Sequence, residues 1–170
     1  MFGLLGRYLA LILLALGNLF IFYTIFNSLT LYPVSFILSI FYKSALLLKG
    51  TNTIFIEGDY INLISACIAG AAYYFLFALN LSTPMPVKTR INSLLFLVFS
   101  FLFINIMRIV IFSVLFILGY QYFDLTHKLI WNFGSTILLI IIWFVNAKIF
   151  DINNVPIYTD VKNIWEDVKR

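Results

Sequence analysis

The sequence consists largely of long apolar stretches, separated by short segments that contain charged and turn-forming residues. Four of these stretches contain, between them, a single charged residue, Arg108. A helix needs about 20 mostly apolar residues to cross a bilayer, so each stretch predicts a membrane-spanning helix. The predicted spans are residues 8–28, 66–81, 91–118 and 129–147.

The segments outside the predicted spans favour three smaller elements. Residues 34–48 are apolar, but they are short and contain Lys43, so we expect a helix that lies on the outer membrane surface. Two short runs of β-forming residues flank Gly58, which predicts a small β-hairpin. Residues 151–170 place apolar side chains at helical spacing among charged ones, which predicts an amphipathic cytoplasmic tail.

Composition supports the same class of fold. Hydrophobic residues make up 63% of the chain and charged residues 11%, against about 45–50% and about 25% in ordinary globular domains. So few charges cannot solvate the surface of a small chain in water, which excludes a cytosolic enzyme, a disordered tail and a fibrous protein. We expect an all-α integral membrane protein. Its residues 1–150 form a four-transmembrane-helix bundle with the outer interfacial helix and the small β-hairpin.

The distribution of basic residues predicts an orientation in the membrane. The formal net charge is +4, but the 11 Lys and Arg residues form no basic run, so nucleic acid is not an expected partner. In the four-span arrangement, seven of them lie on the side of the termini and three on the other side. Because Lys and Arg are enriched in cytoplasmic loops, we expect a multi-pass cell-membrane protein with both termini in the cytoplasm.

Arg108 is the most informative residue of the spans, because a charged side chain inside a bilayer is costly. It follows Arg90 by 18 residues, a rise of about 27 Å along a helix, which places it near the outer boundary of the hydrocarbon core. The guanidinium either extends to the outer headgroups or has a function. Asn105 lies one helical turn earlier, where it either supports the same site or forms a polar contact between helices.

The only cysteine and the only histidine of the chain fall at the same predicted depth as Arg108. Cys67 follows Ser65, a candidate N-cap, at the outer start of the second span, where the helix dipole favours a thiolate. His127 lies at the outer start of the fourth span. Taken singly, such a cysteine is more typical of packing and such a histidine of a solvated surface.

Together, these three residues suggest catalysis. A thiol and an imidazole form the nucleophile–base pair of cysteine peptidases, and a guanidinium can stabilise an oxyanion. With one cysteine, the chain can form neither an intramolecular disulfide nor a Cys-cluster metal site. We therefore expect neither a metal nor an organic cofactor.

The arrangement of these residues resembles the exosortase/archaeosortase family. The resemblance covers about residues 34–147 and rests on an outer hairpin that leads into Cys67, an N-x-x-R motif at Asn105 and Arg108, and His127 at the start of the last helix. The short length is most similar to that of the pacearchaeosortase-type members. Many members have a small hydroxyl residue and then glycine after the cysteine, whereas this chain has Ile68-Ala69-Gly70.

The resemblance implies a function and a set of partners. The family is identified with membrane cysteine proteases/transpeptidases that cleave a C-terminal sorting signal, which comprises a short motif, a transmembrane helix and a basic cluster. The cleaved exported protein passes to a membrane or surface anchor, a lipid being one candidate acceptor. The resemblance also implies that Cys67, Arg108 and His127 are the active residues, on the extracytoplasmic side.

A second interpretation stays open at the level of sequence. The chain would then be a non-catalytic membrane subunit of a transporter or envelope complex. In that case Arg108 binds a lipid phosphate and Cys67 only packs against its neighbours.

Overall fold

The computed structural model describes residues 4–16, 19–48, 50–152 and 165 of the chain. Its helices are α1 (Leu4–Leu16), α2 (Phe20–Phe41), α3 (Ser65–Ile68), α4 (Gly70–Ser82), α5 (Val87–Ile117), α6 (Phe123–Leu129) and α7 (Ser135–Ile149). Its strands are β1 (Leu46–Leu47), β2 (Thr53–Ile56) and β3 (Asp59–Asn62). A π-helical segment, Ile130–Gly134, joins α6 to α7. Apart from Trp165, the predicted tail beyond residue 152 lies outside the described residues.

Four helical segments of the described chain are long and apolar enough to cross a membrane, which agrees with the predicted number. They are Phe20–Phe41, Ser65–Ser82, Val87–Ile117 and Phe123–Ile149. Large apolar side chains cover the outside of the bundle: Phe99, Phe103 and Phe144, for example, are 64%, 67% and 68% exposed. Such a surface suits contact with lipid tails.

The first long helix begins later than predicted. The predicted span 8–28 is divided between α1 and α2, because Leu19 adopts a left-handed backbone conformation with φ 58° just before α2. The preceding residues in the sequence, Gly17 and Asn18, are weak helix formers. After this break, α2 continues through Pro33 to Phe41, which a long helix tolerates when neighbouring elements pack against it.

The separate interfacial helix predicted at residues 34–48 is wrong. Its first half completes α2, because Val34 and Leu38 are fully buried and continue the core-facing side of that helix. Its last part forms β1, which pairs antiparallel with β2 and places Leu46 opposite Phe55. The backbone of this segment therefore forms its hydrogen bonds with β2, whereas a surface helix would form them within itself.

The predicted β-hairpin is confirmed as part of a three-stranded sheet with the order β1-β2-β3. Ile56 and Asp59 pair at its closed end, and Glu57 and Gly58 form the two-residue turn with φ values of 51° and 99°. Two consecutive positive φ values are the signature of the turn whose twist matches that of a hairpin. The chain leaves β3 and enters α3 directly, so the sheet is joined to the segment that carries Cys67.

α5 is the central helix and packs against α2, α4 and α7. Its Phe101 meets the ring of Tyr73 edge-on at 4.9 Å, and Tyr73 stacks on Phe26 of α2. At the other end of the bundle from the sheet, the buried Arg90 donates hydrogen bonds to the carbonyl oxygens of Asn80 and Thr83, at the end of α4. These contacts hold α4 against α5 near both ends of α4.

Candidate active site

Cys67, Arg108 and His127 line a single cavity of about 240 Å³ beside the β-sheet. Cys67 comes from α3, Arg108 from α5 and His127 from α6, and the edge of β3 closes a further side. The three predicted residues are thus brought together from parts of the chain that are far apart in sequence. All three line the same cavity, and their catalytic roles stay predictions.

The local backbone around Cys67 differs from the prediction. α3 is a single turn whose N-cap is Ile64, so Ser65 is its first helical residue and not its cap. The turn ends at Ala69, which has a left-handed φ of 58°. Cys67 therefore belongs to a separate turn before α4, and its N–H donates to the Ile64 carbonyl at 2.8 Å.

Gly70, the first residue of α4, packs closely against α2. A Cβ atom on Gly70 would lie 2.8 Å from two ring atoms of Tyr23 in α2, so only glycine permits α4 to begin this close to α2. In this chain the glycine two positions after Ile68 thus has a packing role.

Asn105 connects α5 to the backbone of the cysteine. Its side chain is 1% exposed, and its Nδ2 atom donates a hydrogen bond of 3.0 Å to the carbonyl oxygen of Cys67. This one hydrogen bond fits both sequence interpretations of Asn105. It is a polar contact between two helical elements, and it supports the backbone of the candidate site. Asn105 acts as a positioning residue, since it holds the main chain of Cys67 against α5.

Arg108 turns toward the last helix. Its Nη1 atom donates a hydrogen bond of 2.6 Å to Ser135 Oγ, and its Cζ atom lies 5.9 Å from the centre of the Trp131 ring. Both contacts hold the guanidinium beside the cavity, leaving its other N–H groups available as donors. Neither Ser135 nor Trp131 was predicted from the sequence.

The π-helical segment, Ile130–Gly134, explains why Ser135 was missed. It lies between His127 and Ser135, and the N–H of Ser135 bonds to the carbonyl of Ile130, five residues earlier. This wider turn shifts the direction of the residues that follow it, so ordinary helical spacing does not predict which of them face Arg108. Such segments occur frequently at functional sites.

Aromatic rings hold His127 in place. Its imidazole stacks on Phe123 with centroids 5.4 Å apart and meets Phe112 edge-on at 5.1 Å. Among the described residues, no hydrogen bond joins the imidazole to Cys67 or Arg108. His127 and the thiol thus line the same cavity without a hydrogen bond between them.

The chemistry of the cavity follows from its walls. Arg108 carries the formal charge among the lining side chains, and most of the others are apolar or aromatic. Apolar walls lower the local dielectric, which strengthens the interaction of a guanidinium with negative charge. Within the described part of the chain, no three His, Cys, Asp or Glu side chains come together as a candidate metal site.

Comparisons of the chain with family models, with curated proteins and with solved structures find no match. The fold defines a helical protein with four helices suited to crossing a membrane, and with a thiol, a guanidinium and an imidazole around one cavity.

Proposed function

We propose that this chain is a membrane cysteine protease/transpeptidase that acts on exported proteins, in the manner of exosortases and archaeosortases. One observation carries the proposal: the only cysteine, the only histidine and the only arginine deep within a span line the same cavity. Substrates would carry a C-terminal motif, a transmembrane helix and a basic cluster. The acceptor is an amine or another nucleophile, with a lipid as one candidate.

Each of the three side chains has a role in the proposed reaction. The Sγ atom of Cys67 attacks the scissile carbonyl carbon, and His127 takes the thiol proton. Arg108 donates hydrogen bonds to the oxyanion that forms. The C–N bond then breaks, His127 gives its proton to the leaving amine, and a thioester to Cys67 remains. The acceptor nucleophile, or water, resolves the thioester and frees the thiol.

The position of Arg108 favours this proposal over a non-catalytic subunit that binds lipid phosphate. An arginine that reaches for headgroups extends along its helix toward the membrane surface. Arg108 instead bonds to Ser135 and lies near Trp131, and it borders the cavity that contains the cysteine. A lipid-binding role gives no reason for the guanidinium to be held beside a thiol.

The proposed orientation places the cavity on the extracytoplasmic side and both termini in the cytoplasm, because the excess of Lys and Arg lies on the terminal side. A fluorescent reporter that matures only in the cytoplasm is expected to be active at the C-terminus. The same reporter is expected to be inactive when it is inserted at Gly58, in the turn of the hairpin. The opposite pattern would place the cavity in the cytoplasm and rule out a role in processing exported proteins.

The activation of Cys67 by His127 can be tested without a substrate. A free thiol is only a few per cent ionised at pH 7, so we expect His127→Ala to slow alkylation of Cys67 by iodoacetamide about tenfold at that pH. At higher pH, hydroxide can take the thiol proton in place of the imidazole, so the difference between the two rates should become smaller. Intact-mass spectrometry of the detergent-purified protein measures both rates. Equal rates at pH 7 would contradict the pairing of thiol and imidazole.

A further inference from the structure

The cavity follows the edge of β3. Its lining includes four consecutive residues, namely Tyr60, Ile61, Asn62 and Leu63. Successive side chains of a strand point to opposite faces, and burial alternates accordingly, since Leu63 is 2% and Tyr60 67% exposed. Neither face alone can supply four consecutive lining residues. The cavity therefore meets β3 along its backbone, at the outer edge of the sheet.

That edge has backbone groups available for pairing. The N–H of Leu63 donates to the Asn52 carbonyl, so this residue directs its backbone groups toward the β2 side. In an antiparallel pair this direction alternates along the strand, so the N–H and C=O groups of Tyr60 and Asn62 point away from β2. No hydrogen bond among the described residues uses them on that side.

We propose that the polypeptide substrate binds as an extended segment that pairs with the free edge of β3 and becomes the fourth strand of the sheet. Strand addition of this kind uses main-chain hydrogen bonds for affinity and alternate side chains for selectivity. The inference rests on the proposed function, since it identifies how that same site holds its substrate. A free strand edge is otherwise a liability for aggregation.

The reactive residues lie within reach of such a strand. A paired strand runs about 4.8 Å from its neighbour, and β3 leads directly into the turn that holds Cys67. The bound segment therefore lies in the cavity that the thiol and Arg108 also line.

The walls of the cavity define the side chains that this substrate would carry. Phe112, Phe116 and Phe123 line the cavity together with Ile130. Every second side chain of an extended segment faces the same way. The site therefore selects bulky apolar side chains at alternate positions near the scissile bond.

The test uses a tetrapeptidyl chloromethyl ketone with apolar side chains, whose methylene carbon bonds to the Cys67 sulfur as chloride leaves. Iodoacetamide serves as the reference reagent because it has no peptide backbone. Asn62→Pro removes a free-edge N–H without removing a bond to β2, and Asn62→Ala is the matched control that keeps the N–H. We expect the proline variant to react about tenfold more slowly with the peptidyl reagent than the alanine variant. Their rates with iodoacetamide should be equal.

A second measurement uses the wild-type protein, so its outcome does not depend on whether the proline variant folds. The peptidyl reagent is methylated at one backbone nitrogen at a time, and the alkylation rates are compared. Strand pairing predicts that methylation at alternate nitrogens slows the reaction, while methylation at the nitrogens between them does not. If methylation at every position has the same effect, strand addition is overturned.

The outcomes separate this inference from the proposed function. In one outcome, the alkylation of Cys67 by iodoacetamide depends on His127, but methylation of the peptidyl reagent does not slow its reaction in the alternating pattern. Only the strand-addition proposal then fails. If Cys67 reacts with both reagents no faster than an ordinary thiol and without dependence on His127, the proposed function fails and the inference with it.

Discussion

Replacing Cys67 by serine is expected to abolish processing of an exported substrate while the protein remains at its normal level. The change alters one atom, so the packing around α3 should be preserved. A serine hydroxyl is not ionised at neutral pH and is a far weaker nucleophile than a cysteine thiolate. We expect cleavage to fall by on the order of 10³-fold or more.

The measurement is co-expression with a candidate substrate from the same genome, an exported protein with a motif, a transmembrane helix and a basic C-terminus. Immunoblots then compare the trimmed and untrimmed forms. Ser65→Ala is the matched control, because Ser65 is an exposed residue in the same short helix and makes no capping hydrogen bond. Normal trimming in Cys67→Ser cells would favour the non-catalytic subunit.

Arg108→Lys is expected to lower processing about 10²–10³-fold, the usual cost of losing an oxyanion donor. Lysine keeps the positive charge but loses the planar fork of donors. It therefore cannot hold Ser135 Oγ and an oxyanion in the same geometry. Processing is measured in the same co-expression assay, with the level of each variant determined alongside.

Ser135→Ala is the matched control for this substitution. It removes the hydrogen bond that holds Nη1 but leaves the guanidinium itself, so its effect should be smaller than that of Arg108→Lys. Near-normal processing by the lysine variant would show that only a positive charge is needed, as in an arginine that binds headgroups.

Much of the fold could be predicted from hydrophobicity alone. Long charge-free stretches indicate the number of long apolar helices because the 20-residue requirement is a strong constraint. The boundaries of the first helix were not predictable in this way. A continuous apolar run does not show where the backbone turns at Leu19 or that α2 continues through Pro33. The short strand β1 depends on pairing with β2, a long-range contact that local sequence does not reveal.

The candidate site was predictable in part for a similar reason. Cys67 and His127 stand out as the only cysteine and the only histidine of the chain, and Arg108 as the only charged residue of the predicted spans. A count of helical turns then predicts that all three lie at one depth. Ser135 could not be identified, since its direction depends on the π-helical segment. The free edge of β3 could not be predicted either, because it depends on which side of β3 the neighbouring strand lies.

The nucleophilic role of Cys67 is tested most directly by trapping a thioester. Purified protein is mixed with a synthetic substrate segment, quenched in acid after a short time, and digested for mass spectrometry. We expect the peptide that contains Cys67 to carry the N-terminal part of the substrate, to lose it on treatment with neutral hydroxylamine, and to be unmodified in His127→Ala protein at short times. Substrate cleavage that continues in Cys67→Ser protein, with no hydroxylamine-sensitive adduct on the wild-type cysteine, would contradict a nucleophilic role for this residue.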